Sequence, residues 1–369
     1  MMAINVPIRS GYRIQIDNGL LAQPAWQQSL NAIAQPKVII TDHCVKTLYA
    51  DALGIAIDAK VLSFPAGEQS KTRETKAHLE DQLLQQHYGR DTVIIAVGGG
   101  IVTDMAGFVA ATYCRGVDLI SIPTTLLAMV DAAVGGKTAV NTPLGKNLIG
   151  AFKQPRAVYI DPNVLNTQSE AQRVDGIIET LKHGLISDAD LLNQLERLPR
   201  TTASVELSKL IYNSIMVKRN IVCQDEKERG LRAILNLGHT IAHALETSLD
   251  HRISHGQAVL HGIVIEAKIA VDLGIMQPVT LDQIIIYYRQ WRQVKLNLNN
   301  AKIEKIVQRL KLDKKNQHGQ IHMVLLESIG KTYTENGKHT VAVEVNHIKA
   351  AIAWFNTLEQ QDADTDIEL

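Results

Sequence analysis

The sequence is short of cysteine, has no excess of either charge and contains no long apolar run, and each shortage narrows what the protein can be. Its three cysteines, Cys44, Cys114 and Cys223, are odd in number, far apart and form no CxxC pair. That argues against a disulfide framework and a thiolate zinc site, and fits a reducing compartment. The 38 basic residues cancel the 38 acidic ones, so net charge gives no support to a nucleic-acid partner. The longest uncharged apolar stretch, Leu119 to Val130, contains a proline and is well under the ~18 residues of a membrane span. The first residues lack the basic and apolar regions of a signal peptide. The expectation is a soluble cytoplasmic protein with neither membrane nor nucleic acid as partner.

What is present is ordinary globular composition, 46% hydrophobic and 21% charged over 369 residues, about twice the length of a typical domain. Through the first 160 residues short apolar runs alternate with longer mixed segments: Lys37 to Asp42, Val61 to Phe64, Thr92 to Val97, Leu119 to Ile122 and Ala157 to Ile160. These read as buried parallel strands with intervening helices, one of them over Leu79 to Gln86 and stopped by Gly89-Arg90-Asp91. Helical patterns then take over, as in Val205 to Cys223, Ile234 to Leu249 and Val259 to Leu273. The reading is an α/β domain with an open, mostly parallel sheet over 1–160, an all-helical domain over 161–359 and an acidic flexible tail over 360–369. Of 24 glycines, 10 lie between Gly89 and Gly150, which concentrates ligand-contacting backbone there.

Gly98-Gly99-Gly100 follows the strongest strand and opens a helix containing Asp104. Uncovered backbone N–H groups at a helix N-terminus suit a phosphate or pyrophosphate, although a tight turn alone would also need glycine. Gly136-Lys137-Thr138 is not a P-loop, because Asp131 stands where that motif needs glycine. Lys137, Lys146 and Asn147 fall in a glycine-rich, mostly uncharged loop region. Such lysines can hold a substrate phosphate as point charges or simply be exposed.

Five of 13 histidines lie between His239 and His261. His239 and His243 are four apart, on one side of a helix, a common spacing for metal ligands; His251 and His255 repeat it across a helix break near Asp250. A catalytic ion wants about three nitrogen or oxygen ligands, and spacing does not choose among these histidines. Glu179, Lys182 and His183 share a helical face upstream, offering a carboxylate beside a cation or merely a surface ion pair.

Together these segments resemble the 3-dehydroquinate synthase family of sugar phosphate cyclases. The resemblance is carried by Gly67-Glu68-Gln69 with Lys71, by Gly98-Gly99-Gly100 with Asp104, and by Ile122-Pro123-Thr124-Thr125-Leu126-Leu127. It continues in Val134-Gly135-Gly136-Lys137-Thr138-Ala139-Val140-Asn141, in Pro143 to Phe152 and in Asn236-Leu237-Gly238-His239-Thr240, running in unbroken order from about Gly11 to Gly330. It implies an NAD-binding α/β domain and a helical metal-binding domain around a cleft, and a homodimer. It implies that a divalent metal, zinc or cobalt, is held by Glu179, His239 and His255, with His243 on the substrate side. It implies NAD contacts at Asp42, Glu68, Lys71, Gly99, Gly100, Asp104, Thr124, Thr125 and Thr167, with Lys137 and Lys146 between cofactor and substrate. Arg115, Asp131, Asn147, Lys182, Lys218, Arg232 and Asn236 would complete the substrate pocket, helped by Lys314 or Lys315.

The family reaction converts 3-deoxy-D-arabino-heptulosonate 7-phosphate into 3-dehydroquinate and phosphate, the second step of the shikimate pathway. NAD transiently oxidises a ring alcohol, phosphate is eliminated, the ketone is reduced again and an intramolecular aldol step closes the carbocycle. Two positions depart from the family pattern: Thr103 replaces a glycine before Asp104, which would be strained if the position needs positive φ, and Gln257 replaces a glutamate after His255-Gly256, which would alter a contact behind the metal. The alternatives are a sister sugar phosphate cyclase acting on another ketose phosphate, a metal-dependent polyol dehydrogenase, and an inactive ligand-binding relative.

Overall fold

The computed structural model describes residues 1–198, 204–249, 252–311 and 320–365. In chain order the first part contains strands β1 (Met2–Val6) and β2 (Tyr12–Ile16), helix α1 (Pro24–Asn31), β3 (Lys37–Asp42), the single turn α2 (His43–Val45), α3 (Asp51–Ala56), β4 (Lys60–Phe64) and α4 (Arg73–Gln85). It continues with β5 (Val93–Gly98), α5 (Gly100–Thr112), β6 (Asp118–Pro123), β7 (Lys137–Thr142), β8 (Gly145–Phe152) and β9 (Ala157–Ile160). Helices follow: α6 (Glu170–Ser187), α7 (Ala189–Glu196), α8 (Ser204–Gln224), α9 (His239–Ser248), α10 (His255–Asp272), α11 (Pro278–Trp291) and α12 (Asn300–Lys311). Strands β10 (Ile321–Met323), β11 (Leu326–Ser328), β12 (Lys331–Thr332) and β13 (Val341–Val343) precede the final helix α13 (Val345–Thr365).

The chain divides into two compact units, unit 1 comprising Met1–Gly176 and Leu198–Lys227, unit 2 comprising Ile177–Arg197 and Glu228–Leu369. The division falls inside α6, and α8 packs with unit 1, against β1. Hydrophobic periodicity marks such a helix without saying which core receives it.

Unit 1 is built on a seven-stranded sheet of order β1-β2-β9-β6-β5-β3-β4, in which only the β1–β2 pair is antiparallel. The expected mostly parallel sheet is present. Its central strands are apolar on both faces because both faces are covered. Val38, Ile40, Ile94 and Ala96 pack with α4 and α5 on one side, while Ile39, Val93, Ile95 and Val97 pack with α1 and α3 on the other. The chain runs β3 to β4 toward one edge, then returns to place β5 on the opposite side of β3. The carboxyl ends of β3 and β5 therefore flank a topological switch point, where open α/β sheets bind ligands.

The glycine-rich stretch read as loop is the antiparallel hairpin β7–β8. Glycine hides the strand signal but permits this one: a Cβ on Gly150 would sit 2.1 Å from the Thr138 carbonyl oxygen, and one on Gly107 of α5 would sit 2.4 Å from Thr138 Cγ2.

Unit 2 is helical, as expected, with the small β10–β13 and β11–β12 pairs added; strands of two or three residues are too short to register as an alternating pattern. The helix expected from Ile234 is broken: a 3₁₀ turn over Leu231–Asn236 leads to Gly238 at φ 78°, and α9 starts only there. α13 continues through Thr365, into the segment expected to be a flexible tail. Buried Phe355, Leu358 and Glu359 anchor it, and extending a nucleated helix costs little. Among the described residues no helix is long and apolar enough to cross a membrane.

Candidate functional site

In unit 1 the switch point carries the glycine turn. β5 ends at Gly98, Gly99 caps α5 with no side-chain hydrogen bond, and Gly100 opens the helix. The first N–H groups of α5 are thus not consumed by a capping side chain, which fits the pyrophosphate of a dinucleotide. Gly99 has little room for a side chain, since a Cβ would lie 3.0 Å from Thr125 Cγ2. The Thr124 N–H donates to the Gly98 carbonyl at 2.9 Å, tying the end of β6 to the turn. At the end of β3, Asp42 accepts hydrogen bonds from the N–H groups of Cys44 and Val45, both at 2.9 Å.

One helical turn into α5, Asp104 receives Lys71 Nζ at 2.5 Å, and the same ammonium donates to Asn147 Oδ1 at 2.6 Å. Burial pushes the Asp104 carboxyl above its ordinary range, and Lys71 pulls against that shift. Asn141 Nδ2 donates to Glu68 Oε1 at 2.7 Å, and its Oδ1 accepts from the Asn147 N–H at 3.1 Å. Lys146 Nζ lies 3.9 Å from Glu68 Oε1. Residues far apart in sequence, Glu68, Lys71, Asp104, Lys146 and Asn147, thus converge in one polar network. Asn141, quoted only as part of a motif, is the joint that sequence reasoning passed over.

Lys218 on α8 reaches Asp131, at 2.5 Å to both Oδ1 and the main-chain oxygen. Lys137 is exposed at the start of β7. Thr167 pairs its hydroxyl with that of Tyr49 at 2.8 Å. Arg115 is not brought into this network. It is exposed with φ 69° in the turn after α5, at the opposite end of a 13-residue helix from Gly99, ~20 Å away at ~1.5 Å per residue. Thr103 has helical backbone, without positive φ, and its hydroxyl donates to the Gly100 carbonyl at 3.0 Å. The strain feared at that position does not arise.

In unit 2, Glu179, His239 and His255 offer ligand atoms that all lie within 4.8 Å of one another. Glu179 Oε1 is 3.6 Å from His239 Nε2 and 3.5 Å from His255 Nε2, and the carboxylate is fully buried. Two imidazoles and one carboxylate form the nitrogen and oxygen set of a catalytic zinc-type ion, and this chemistry fits the expected metal. The other ring nitrogens are engaged as such ligands require: His239 Nδ1 lies 3.1 Å from the Leu237 carbonyl, and His255 Nδ1 lies 3.4 Å from Glu246 Oε1. Burial disfavours the His255 imidazolium, but hydrogen bonds to Glu179 and Glu246 outweigh it and push its pKa up to about 10.

His243 is half-buried beside the triad, its ring centroid 5.7 Å from that of His239. Lys182, buried one helical turn after Glu179, contacts its carboxylate. Arg232 is almost wholly buried, and Asn236 Nδ2 donates to Glu228 Oε1 at 2.7 Å. A cavity of about 540 Å³ is lined by Glu228, Arg229, Asn236, Thr240, His322 and Lys338, among others. The Gln257 side-chain amide donates to the Trp291 carbonyl at 3.1 Å and accepts from the Gln293 N–H at 2.8 Å. The carboxylate behind His255 is Glu246, which the sequence reading missed although it sits seven residues from His239, on the same helical face. His251, Lys314 and Lys315 lie outside the described residues.

Residues 61–175 match the family model for the 3-dehydroquinate synthase N-terminal part and residues 176–316 that for the C-terminal part. The chain is 38% identical to a 3-dehydroquinate synthase of Synechococcus sp. over 89% of its own length and 94% of that protein. It is 43% identical to the pentafunctional AROM polypeptide of Candida tropicalis over 75% of its length, and the match spans 20% of that polypeptide. Among solved structures it is similar to a 2-deoxy-scyllo-inosose synthase complexed with carbaglucose-6-phosphate, NAD+ and Co2+, with a TM-score of 0.86, 26% identity, and 95% of this chain and 99% of that one covered.

Proposed function

The chain belongs to the 3-dehydroquinate synthase family, and we propose that it converts 3-deoxy-D-arabino-heptulosonate 7-phosphate to 3-dehydroquinate and phosphate, as a phosphorus–oxygen lyase dependent on NAD and a divalent metal. The observation that carries the reading is the Glu179–His239–His255 cluster in a chain whose two parts both match that family.

When bound, NAD would supply a reversible hydride acceptor, and Glu179, His239 and His255 would hold a divalent ion that would supply Lewis acidity toward the substrate's oxygens. The chain's own groups do the rest. Lys71 and Asp104 fix the network beside the glycine turn, where the N–H groups opening α5 take the pyrophosphate. His243, beside the ligands, takes the proton of the alcohol being oxidised, since an imidazole nitrogen can accept a proton and return it. Lys137, Lys146 and Lys182 neutralise substrate anions, and Arg232 and Asn236 with Lys218 favour a carboxylate-bearing substrate. The departing phosphate can accept the elimination proton, so no protein base is assigned to that step. Arg115, exposed after α5, offers a fixed fork to the substrate phosphate.

The proposal includes a cytoplasmic enzyme acting as a homodimer, which sedimentation equilibrium would test. A second reading, a sister cyclase acting on another ketose phosphate or hexose phosphate, rests on the fold likeness to the inosose synthase. The deciding experiment follows phosphate release and NADH absorbance together, with NAD and the heptulosonate phosphate, before and after EDTA and metal add-back. Stoichiometric phosphate, no lasting NADH and metal-restorable activity support the synthase. A folded, metal-loaded protein that releases phosphate only from another sugar phosphate supports the sister cyclase, and lasting NADH from a simple polyol supports a dehydrogenase.

A further inference from the structure

We propose that Glu266, fully buried in the middle of α10, is a positioning residue for the metal centre: it holds the backbone of ligand His239 in register with ligand His255. The inference rests on the reading of Glu179, His239 and His255 as metal ligands. His255 is the first residue of α10. About three turns further along the same helix, Glu266 Oε2 accepts a 2.6 Å hydrogen bond from the Gly238 N–H. Gly238 is the residue immediately before His239 and caps α9 in a left-handed conformation, φ 78° and ψ −20°. One helix thus carries one ligand directly and secures the other through a carboxylate.

A second, independent contact points the same way. A Cβ on Gly262, between His255 and Glu266 on α10, would fall 2.1 Å from the Gly238 carbonyl oxygen, and a Cβ on Gly238 would fall 2.8 Å from the Val259 carbonyl oxygen. The two backbones touch because neither residue has a side chain. The Gly238 N–H goes to Glu266 while its C=O lies against Gly262, so the peptide units on both sides of the Gly238 Cα meet α10. The next residues turn His239 so that Nδ1 faces the Leu237 carbonyl at 3.1 Å, leaving Nε2 toward Glu179. A peptide shift of a few tenths of an ångström at Gly238 is passed directly to that nitrogen, and metal affinity is sensitive to such outer contacts, by roughly 10–100-fold.

The test compares the full-length protein with Glu266→Ala, Glu266→Gln and, as a stability control in the same unit, Ile348→Ala, which removes a buried side chain remote in sequence from the ligands. Co2+ affinity by chelator competition, the cobalt d–d spectrum and thermal midpoint are measured for each. The expected result is a 10–100-fold loss of affinity and an altered spectrum in Glu266→Ala. Partial recovery is expected in Glu266→Gln, whose amide oxygen can still accept from Gly238, and the control should keep wild-type affinity despite a lowered midpoint. Wild-type affinity and spectrum in Glu266→Ala overturn the proposal, as does an equal affinity loss in the control at the same midpoint. If Glu266→Ala does not fold, Gly262→Ala takes its place with the same expectations. Should the wild-type protein bind no cobalt while Glu179→Gln and His255→Ala behave identically to it, the metal reading itself fails, an outcome distinct from the others.

Discussion

Glu246 Oε1 lies 3.4 Å from His255 Nδ1, on the side of the ring opposite to Glu179. Held between two carboxylates, His255 in the metal-free protein keeps its proton up to about pH 10. A metal can take Nε2 only from the neutral ring. Binding of Zn2+ or Co2+ at pH 8 is therefore expected to release about one proton attributable to His255, and Glu246→Ala should reduce that release. Calorimetry in buffers of different ionisation enthalpy reads it directly; binding that is independent of buffer would show that His255 is not the displaced acid.

Removing a ligand is a harsher intervention. His255→Ala leaves one carboxylate and one imidazole, too few for a catalytic ion of this type. Metal content after dialysis should fall below a tenth of the wild-type value and turnover by roughly 100-fold or more. If both survive, the Glu179, His239 and His255 assignment is wrong.

Lys71 serves two acceptors, Asp104 Oδ2 at 2.5 Å and Asn147 Oδ1 at 2.6 Å, with 6% of its side chain exposed. Breaking such a pair by removing one partner typically costs about 3–5 kcal/mol, because the remaining charge is left buried. Lys71→Ala should lower the thermal midpoint and weaken NAD binding. Adding Asp104→Asn should recover part of the midpoint, since no uncompensated carboxylate remains. A double variant as unstable as the sum of the two single ones would show that the residues do not interact.

In unit 2, burial, and after it the nearby Arg292, lower the pKa of His261 to about 3. The unfolded chain takes up that proton near pH 6.5, so between about pH 6.5 and 3 the unfolded state binds the extra proton and stability falls as pH falls. His261→Gln, which can still pair with the Tyr288 hydroxyl now 3.2 Å from Nδ1, should flatten that acid limb. Urea midpoints at pH 7, 6, 5 and 4 measure the slope; equal slopes in both proteins would contradict the assignment.

The central strands were legible because they are apolar on both faces, as β3 and β5 show. Helices α8 and α10 were legible by period. β7–β8 was not, because its glycines serve close backbone approach to Thr138 and supply no alternating pattern. The candidate ligands were nominated by chemistry, two histidines and a carboxylate, while the spacing of His239 and His243 pointed equally to a pair of which only His239 belongs to the Glu179–His239–His255 cluster; the resemblance, not the spacing, selected His255. Thr103 and Gln257 drew attention by departing from a pattern, yet each satisfies its polar atoms locally.

Sequence alone determined the kinds of groups available and the runs that must be buried, since hydrophobic period and residue chemistry are properties of a linear string. It also carried the glycine turn after β5, because a strand followed by glycines and a helix is local. Only the tertiary structure decided which groups meet. Glu246 reaches His255, Glu266 reaches Gly238 and Asn141 joins Glu68 to Asn147, and Arg115 is left at the far end of α5. Hydrogen bonds and ligand sets are matters of a few ångströms, and those distances are set by how helices and strands pack, including the Gly238–Gly262 contact that a single methyl group on Gly262 would push apart.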